Sequence, residues 1–269
     1  MIKVTVIGAA GRMGRRLVCQ ICQSSDLSLA GALEIDGSPF IGQDAGELAG
    51  CGKAQIAVTP ASAGLPAGTE AVIIFSTGSV IEVAREAARI GASVVIGTTA
   101  LSSEVLDELK ALAASGARIV QSGNMSVGVN LLVNLVRQAT RVLGPDSDVE
   151  IVEMHHNQKK DAPSGTAAML AKAVCEVRDW NDRDLVYGRE GVVGARPRRE
   201  IGMHSLRGGD VVGDHTVVFA LNGERIELTH RASSRDTFAR GALQAVRFLA
   251  AAPAGFYDMQ QVLGLSSQD

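Results

Sequence analysis

The run "IKVTVIGAAGRMGRRLVCQIC" (residues 2–22) limits the possible folds more than any other part of the chain. A β-branched, strand-like stretch passes through Gly8, Gly11 and Gly14 straight into an amphipathic helical pattern. Glycines belong there when a parallel strand turns tightly into its helix and the two must approach closely. The unpaired N–H groups at such a helix start, with the helix dipole, attract a pyrophosphate. The spacing G-x-x-G-x-x-G is weak taken alone, since glycines occur at any tight turn. Its place between a strand and a helix gives it meaning. "LSLAGALE" then ends a second strand at Glu34, where a carboxylate would accept hydrogen bonds from ribose hydroxyls.

The same alternation continues. "AVIIFS" (71–76), "SVVIGTT" (93–99) and "ARIVQSGN" (117–124) read as strands, with helical patterns over 79–90 and 102–114. Strands separated by helices of this length form βαβ units, which predicts a parallel sheet covered on both faces. Ligands bind at the carboxyl ends of such strands, so Gly97, Thr98 and Thr99, and then Ser122, Gly123 and Asn124, are placed to line a nicotinamide.

After a long apolar helix over 129–143 the pattern changes. "DVEIVEMHH" (148–156) alternates like a half-buried strand, and 164–177 reads as a helix. In "GDHTVVFALNGERIELTHRA" the Asn222-Gly223 pair joins two antiparallel strands. Residues 189–213 are too irregular to assign. A helix over 237–250 and an apolar tail follow. The expectation is an α/β domain followed by an α+β domain with an open, mixed or largely antiparallel sheet.

A net charge of −3 offers no broad electrostatic footprint for nucleic acid, and 3% aromatics leave few stacking platforms for single strands. No apolar run reaches the length of a membrane span, and the first residues lack a signal-peptide pattern, so a cytoplasmic protein is expected. Cys19 and Cys22 form a C-x-x-C pair, but they fit the apolar stripe of the first helix. No second ligand pair lies at zinc-binding spacing, and no metal is expected.

"HHNQKKDAPSGTAAML" (155–170) crowds His155, His156, Lys159 and Lys160 ahead of a helix start. Neighbouring strand residues point to opposite faces, so the two histidines share a surface only if the chain turns there. Pro163 suits an early helical position, Ser164 or Thr166 could supply hydroxyl donors, and the helix start is an anion site. Any one of these residues alone is an ordinary cap, turn or packed side chain. Together they describe a pocket for carboxylates with a proton donor beside it. That chemistry fits hydride reduction of a C=N or C=C bond in a small anionic molecule.

"VIGAAGRMG", "GTT", "GNMSVGVN", "EMHHNQKKDAPSGTA" and the closing "FYDMQQVLGL" together resemble the 4-hydroxy-tetrahydrodipicolinate reductase (dihydrodipicolinate reductase) family of bacterial lysine and diaminopimelate synthesis. The resemblance runs in order along the whole chain. It implies a Rossmann-like, doubly wound dinucleotide-binding domain over residues 1–126 and 237–269, with a substrate-binding and oligomerisation domain over 127–236. It implies NADH- or NADPH-dependent reduction of a cyclic dicarboxylate, with loss of water, by a homotetramer that closes about a hinge. By carry-over, His155 and Lys159 transfer the proton, with Lys159 favoured as donor. His156 contacts substrate, and Gly165 with Thr166 holds a carboxylate. Gly8, Ala9, Ala10, Gly11, Arg12, Met13, Glu34, Gly97, Thr98, Thr99, Ser122, Gly123, Asn124 and Met125 line the cofactor.

Two positions depart from the family pattern. Ile35 and Thr77 stand where members often carry arginines associated with an adenosine 2′-phosphate. Without those guanidinium groups, and with Glu34 repelling a phosphate, a preference for NADH is expected, although Arg12 remains within possible reach. Met125 stands where an aromatic residue is common. Three other readings fit less well. Another oxidoreductase of amino or keto dicarboxylates shares the general chemistry. A non-catalytic dinucleotide sensor would not need the crowded 155–166 stretch. A zinc hydrolase using His155 and His156 lacks a third ligand at standard spacing.

Overall fold

A computed structural model describes residues 1–76, 78, 80–99 and 101–265. They divide into two compact units, Met1–Val127 with Arg235–Asp269, and Gly128–Ser234. In chain order the elements are β1 (Ile2–Ile7), α1 (Arg12–Cys22), β2 (Leu27–Glu34), α2 (Ala45–Ala49), β3 (Val58–Pro60), β4 (Ala71–Ile74), α3 (Val80–Arg89), β5 (Ser93–Ile96), α4 (Ser103–Ala114) and β6 (Arg118–Gln121). Then come α5 (Val127–Leu143), β7 (Asp148–His155), α6 (Gly165–Arg178), β8 (Leu185–Tyr187), β9 (Ile201–Arg207), β10 (Gly213–Leu221) and β11 (Glu224–Ala232). The chain closes with α7 (Asp236–Ala251), β12 (Gly255–Tyr257) and α8 (Met259–Val262).

In the first unit seven strands lie in the order β12-β6-β5-β4-β1-β2-β3. All neighbours are parallel. Every residue of β4 and β5 is buried, as a sheet covered on both faces requires. Alternate residues feed two separate cores. Ile73 joins Leu17, Ile21 and Val246 on one face, while Val72 and Ile74 join Val94, Ile96, Leu109 and Ile119 on the other. The chain is thus doubly wound. Full burial of a side chain such as Leu17 is worth roughly 1.5–3 kcal/mol against exposure. The tail reads as more than an apolar end, because β12 pairs with β6 and adds an edge strand. α7 reaches this core through a stripe of small buried residues, Ala239, Ala242 and Ala245. A Cβ on Gly241 would fall 1.7 Å from the Met125 carbonyl oxygen, so this helix approaches only as glycine.

The second unit is a five-stranded sheet in the order β11-β10-β7-β9-β8. β10 is antiparallel to both β11 and β7, while β7, β9 and β8 run parallel. The sheet is therefore mixed, and β9 comes from the segment that the sequence leaves unassigned. Its pairing is with a strand far earlier in the chain, which no local pattern reports. Asn222 and Gly223 (φ +92°) make the expected hairpin turn. α5 and α6 cover one face, packing Leu132, Val136, Leu170 and Val174 onto Val149, Ile151, Val217 and Phe219. Glu150 crosses Gly202 on the opposite face, where a Cβ would meet its carboxylate at 1.8 Å. It binds Arg189, Arg196 and His204, which pins residues 188–200 to the sheet.

Candidate active site

In the first unit the strand order reverses between β1 and β4, the point where ligands bind parallel sheets. The turn after β1 is built there. Gly8 adopts φ +73°, a conformation that costs a side-chain-bearing residue roughly 1–2 kcal/mol. A Cβ on Gly14 would lie 2.1 Å from the Gly8 carbonyl oxygen, so α1 can pack against the turn only without one. Gly11 is the N-cap of α1 and no side chain caps the helix, which leaves its start open to an anion. Glu34 turns its carboxylate back onto this turn, accepting from Ala10 N at 3.0 Å and from Ile35 N at 3.0 Å. These features fit a dinucleotide.

Ala9, Ala10, Arg12 and Met13 belong to the same turn and helix start. Gly97, Thr98 and Thr99 follow β5, while Ser122, Gly123, Asn124 and Met125 follow β6, along the same sheet edge. A Cβ on Gly97 would strike the Phe75 ring at 2.4 Å. Thr98 Oγ1 donates to Ser76 O at 2.8 Å, and Ser122 Oγ to Asn124 O at 2.9 Å, so both hydroxyls serve to shape the loops. Met125 is 1% exposed and its side chain belongs to the core beside α7. Ile35 is exposed, and Thr77 lies outside the described residues.

In the second unit the organising group is one the sequence did not single out. Glu153 lies on the helix-covered face of β7 and is 1% exposed. Arg207, from the end of β9, binds it in a fork at 2.9 and 3.0 Å. His155 Nδ1 lies 2.6 Å from Oε2, and Ser164 N donates to Oε1 at 3.2 Å. Burial alone would raise this carboxyl, but the bonds from Arg207, His155 and Ser205 outweigh it and hold it below the usual range. With Glu153 on Nδ1, the free ring nitrogen of His155 is Nε2. Gly213 leaves room there, since a Cβ would come within 3.0 Å of that atom.

His215 completes the cluster. Its ring is edge-on to His155 with centroids 5.2 Å apart, and its Nε2 is 2.8 Å from Ser164 Oγ. Burial first, then repulsion from His155, pushes its pKa down to about 4, so it is neutral near pH 7. Its Nδ1 has no hydrogen-bond partner among the described residues.

The turn after β7 carries the remaining groups. His156 N donates to Val211 O, and Lys159 N to His156 O, so the chain turns over Asn157 and Gln158, directly after His156. Lys159 Nζ is 2.6 Å from Asp161 Oδ2, and this contact holds the Asp161 carboxyl below its usual range. Asp161 is thus an ion-pair partner, and its carbonyl accepts from Arg207 at 2.8 Å. The helix cap is Ser164, whose Oγ accepts from Ala167 N. Pro163 therefore precedes the cap, after a cis peptide bond, instead of standing in the first helical turn. The Ser164 hydroxyl is buried between the cap and His215, committed to the protein. Gly165 and Thr166 open α6 at the surface side of the same cluster.

The second unit thus gathers a carboxylate-held histidine, a lysine and the first turn of a long helix. Glu153, Arg207 and His215 are the members that sequence reasoning missed. Their signal was present: "VEIVEMHH" places Glu153 in step with the inward Val149 and Ile151, and His215 in step with Val217 and Phe219. A polar group on an inward face needs a partner.

Residues 2–125 match the family model described as dihydrodipicolinate reductase, N-terminus, and residues 128–263 match its C-terminus. A 4-hydroxy-tetrahydrodipicolinate reductase of Syntrophotalea carbinolica is 48% identical over 98% of this chain and 100% of its own length. That of Anaeromyxobacter sp. (strain Fw109-5) is 49% identical over 99% of each. The solved dipicolinate-bound dihydrodipicolinate reductase of Paenisporosarcina sp. TG-14 shares the fold, with a TM-score of 0.73 at 24% identity over 97% of this chain and 98% of that one. By both halves of its length, the chain belongs to the dihydrodipicolinate reductase family.

Proposed function

We propose that the protein catalyses NAD(P)H-dependent reduction of 4-hydroxy-tetrahydrodipicolinate to tetrahydrodipicolinate, the reductase step of diaminopimelate and lysine synthesis. The observation that carries this reading is the Glu153-held His155 together with Lys159 and the first turn of α6, in a chain whose glycine turn fits a dinucleotide. When bound, the reduced nicotinamide supplies the hydride. The first unit binds it through Gly8–Met13, with Glu34 taking the ribose hydroxyls and the β5 and β6 turns flanking the nicotinamide end.

The protein's own groups handle charge and protons. Gly165 and Thr166, at the positive end of α6, hold a substrate carboxylate, and His156 makes a further contact. Water leaves the hydroxylated ring to give an unsaturated ring, and reduction then requires one proton to balance the incoming hydride. Lys159 Nζ delivers it. His155, oriented through Nδ1 by Glu153, exchanges protons at Nε2. Asp161 holds the ammonium in place until substrate carboxylates compete for it.

Ile35 offers no charge to a 2′-phosphate and Glu34 repels one, which supports NADH as the preferred cofactor. The sheet face carrying Glu150, Thr216 and Val218, opposite α5 and α6, is the surface we assign to assembly into a homotetramer in the cytoplasm. No helix among the described residues is long and apolar enough to cross a membrane. The test is an assay of reduced-cofactor consumption on substrate made in situ from pyruvate and aspartate semialdehyde by the preceding synthase. No consumption with either cofactor would overturn the proposal, and light scattering reads the oligomeric state.

A further inference from the structure

His155 and Lys159, the groups assigned to proton transfer, are held by different carboxylates. Glu153 meets Nδ1 of His155 and Asp161 meets Nζ of Lys159, each at 2.6 Å. One side chain binds both holders. The Arg207 guanidinium donates from Nη1 to Glu153 Oε2 at 2.9 Å and from Nη2 to Glu153 Oε1 at 3.0 Å. The same Nη2 donates to the backbone carbonyl of Asp161 at 2.8 Å. Arginine suits this double task, because its planar donors meet both oxygens of a carboxylate and still leave an N–H for a carbonyl. β9 delivers it by register: it runs parallel to β7 and sets Arg207 opposite His155. The chain beyond stays on the turn. Gly208 N donates to His155 O at 2.9 Å, Asn157 N to Gly209 O at 3.2 Å, and His156 N to Val211 O at 2.8 Å. Residues 207–211 thus line residues 155–157, and through Arg207 the hold extends to Glu153 and Asp161.

We propose that Arg207 is a positioning residue of the reductase, fixing His155 and Lys159 in one arrangement by joining their two carboxylate partners through a single guanidinium. This deepens the functional reading above and rests on its assignment of those two groups. Arg207 acts through other residues: its hydrogen bonds go to Glu153, to the Asp161 carbonyl and to the Leu206 carbonyl. On the histidine side, Glu153 Oε2 is shared between Nη1 and the imidazole, so the carboxylate cannot follow the ring when the ring shifts. On the lysine side, the Asp161 side chain is exposed, and an exposed ion pair alone holds its partners weakly. Tying the Asp161 backbone to a buried carboxylate through Arg207 gives that pair a fixed base. When substrate carboxylates draw the ammonium off Asp161, the backbone stays in place. A misplacement of about 1 Å in a reacting group can cost about 10²-fold in rate, which is the scale on which this clamp acts.

The test compares steady-state kinetics of the wild-type chain, Arg207→Gln and Arg207→Lys on substrate made in situ by the preceding synthase, with thermal unfolding recorded for each. Arg207→Gln should lower kcat about 10²-fold, while affinity for the reduced cofactor, read by fluorescence titration, stays near that of the wild type. Its pH–rate profile should also move to higher pH, because a cation has left the Glu153–His155 pair. Loss of folded protein would scale that profile without moving it. Arg207→Lys returns the charge, so its profile should match the wild type. An ammonium lacks the planar fork that spans both Glu153 oxygens and the Asp161 carbonyl, so kcat should still fall on the order of tenfold. Should Arg207→Gln fail to fold, Arg207→Lys decides through kcat. Wild-type kcat in either variant, or a lower kcat in Arg207→Gln with an unmoved profile, would overturn the proposal and leave the functional reading intact. A wild-type chain with no reductase activity would overturn both.

Discussion

The Glu153 carboxylate lies 2.6 Å from Nδ1 of His155, and Arg207 grips the same carboxylate from the other side. Glu153 is too deeply buried to meet substrate, so it acts through the ring it orients. Glu153→Gln keeps the shape but removes the charge that holds the Nδ1 proton. We expect kcat to fall about 10²-fold, the low end of a general acid–base contribution, with cofactor affinity within twofold. The pH–rate profile should also move. A kcat loss with an unmoved profile would mean that Glu153 only supports the fold.

Lys159 is the proposed proton donor. Lys159→Ala should lower kcat by about 10²- to 10⁴-fold, and His155→Ala should lower it strongly too. NADH binding, read by fluorescence titration, should stay near normal in both. Asp161→Ala is the contrasting change: Asp161 is well exposed, so loss of its ion pair should alter stability by less than about 1 kcal/mol. Full turnover in Lys159→Ala would remove it from the mechanism.

Cofactor choice rests on Glu34 and Ile35. The wild-type protein should show a higher kcat/KM with NADH than with NADPH. Ile35 is exposed beside the Glu34 carboxylate, so Ile35→Arg can place a guanidinium near a 2′-phosphate without repacking. A charge-assisted bond of about 1.5–3 kcal/mol should raise relative NADPH efficiency by roughly one to two powers of ten. Kinetics with both cofactors decide this. A wild-type preference for NADPH would show that Arg12 or another group already serves the phosphate.

The first unit was legible because its signals are local. β4 and β5 are short runs of consecutive buried residues, and α1 buries Gly14, Leu17, Val18 and Ile21 at helical spacing. The Asn222-Gly223 hairpin was readable for the same reason. What escaped depends on distant partners. β9 is defined by pairing with β7, and its arginine end reaches Glu153 only through that register, Arg207 opposite His155. β3 and β12 are three-residue edge strands, too short to carry a period. The family motif marked the His-Lys turn, but the buried carboxylate and the second histidine that hold it are contacts across strands.

His215 gives the protein an acid-sensitive element whose sign can be worked out. Its pKa is about 4 in the folded state, against an ordinary value of 6.5, because burial and the neighbouring His155 disfavour its charge. Between those two values the unfolded chain binds a proton that the folded chain refuses, so stability falls as pH falls. The contribution is intact above about pH 6.5 and lost by about pH 4, a change of roughly 3 kcal/mol. Glu153 acts in the same direction at lower pH, since a carboxyl held below its usual range stabilises the fold until it is protonated. His230, opposite His215 on β11, is also lowered by burial and adds to the acid sensitivity. His215→Gln keeps a polar side chain near Ser164 but cannot take up the proton. Denaturant unfolding at pH 7 and pH 4.5 should show a drop in wild-type stability that the variant loses in large part. If the two proteins lose the same stability over that interval, His215 is already charged in the folded state, and the neutral ring beside His155 is wrong.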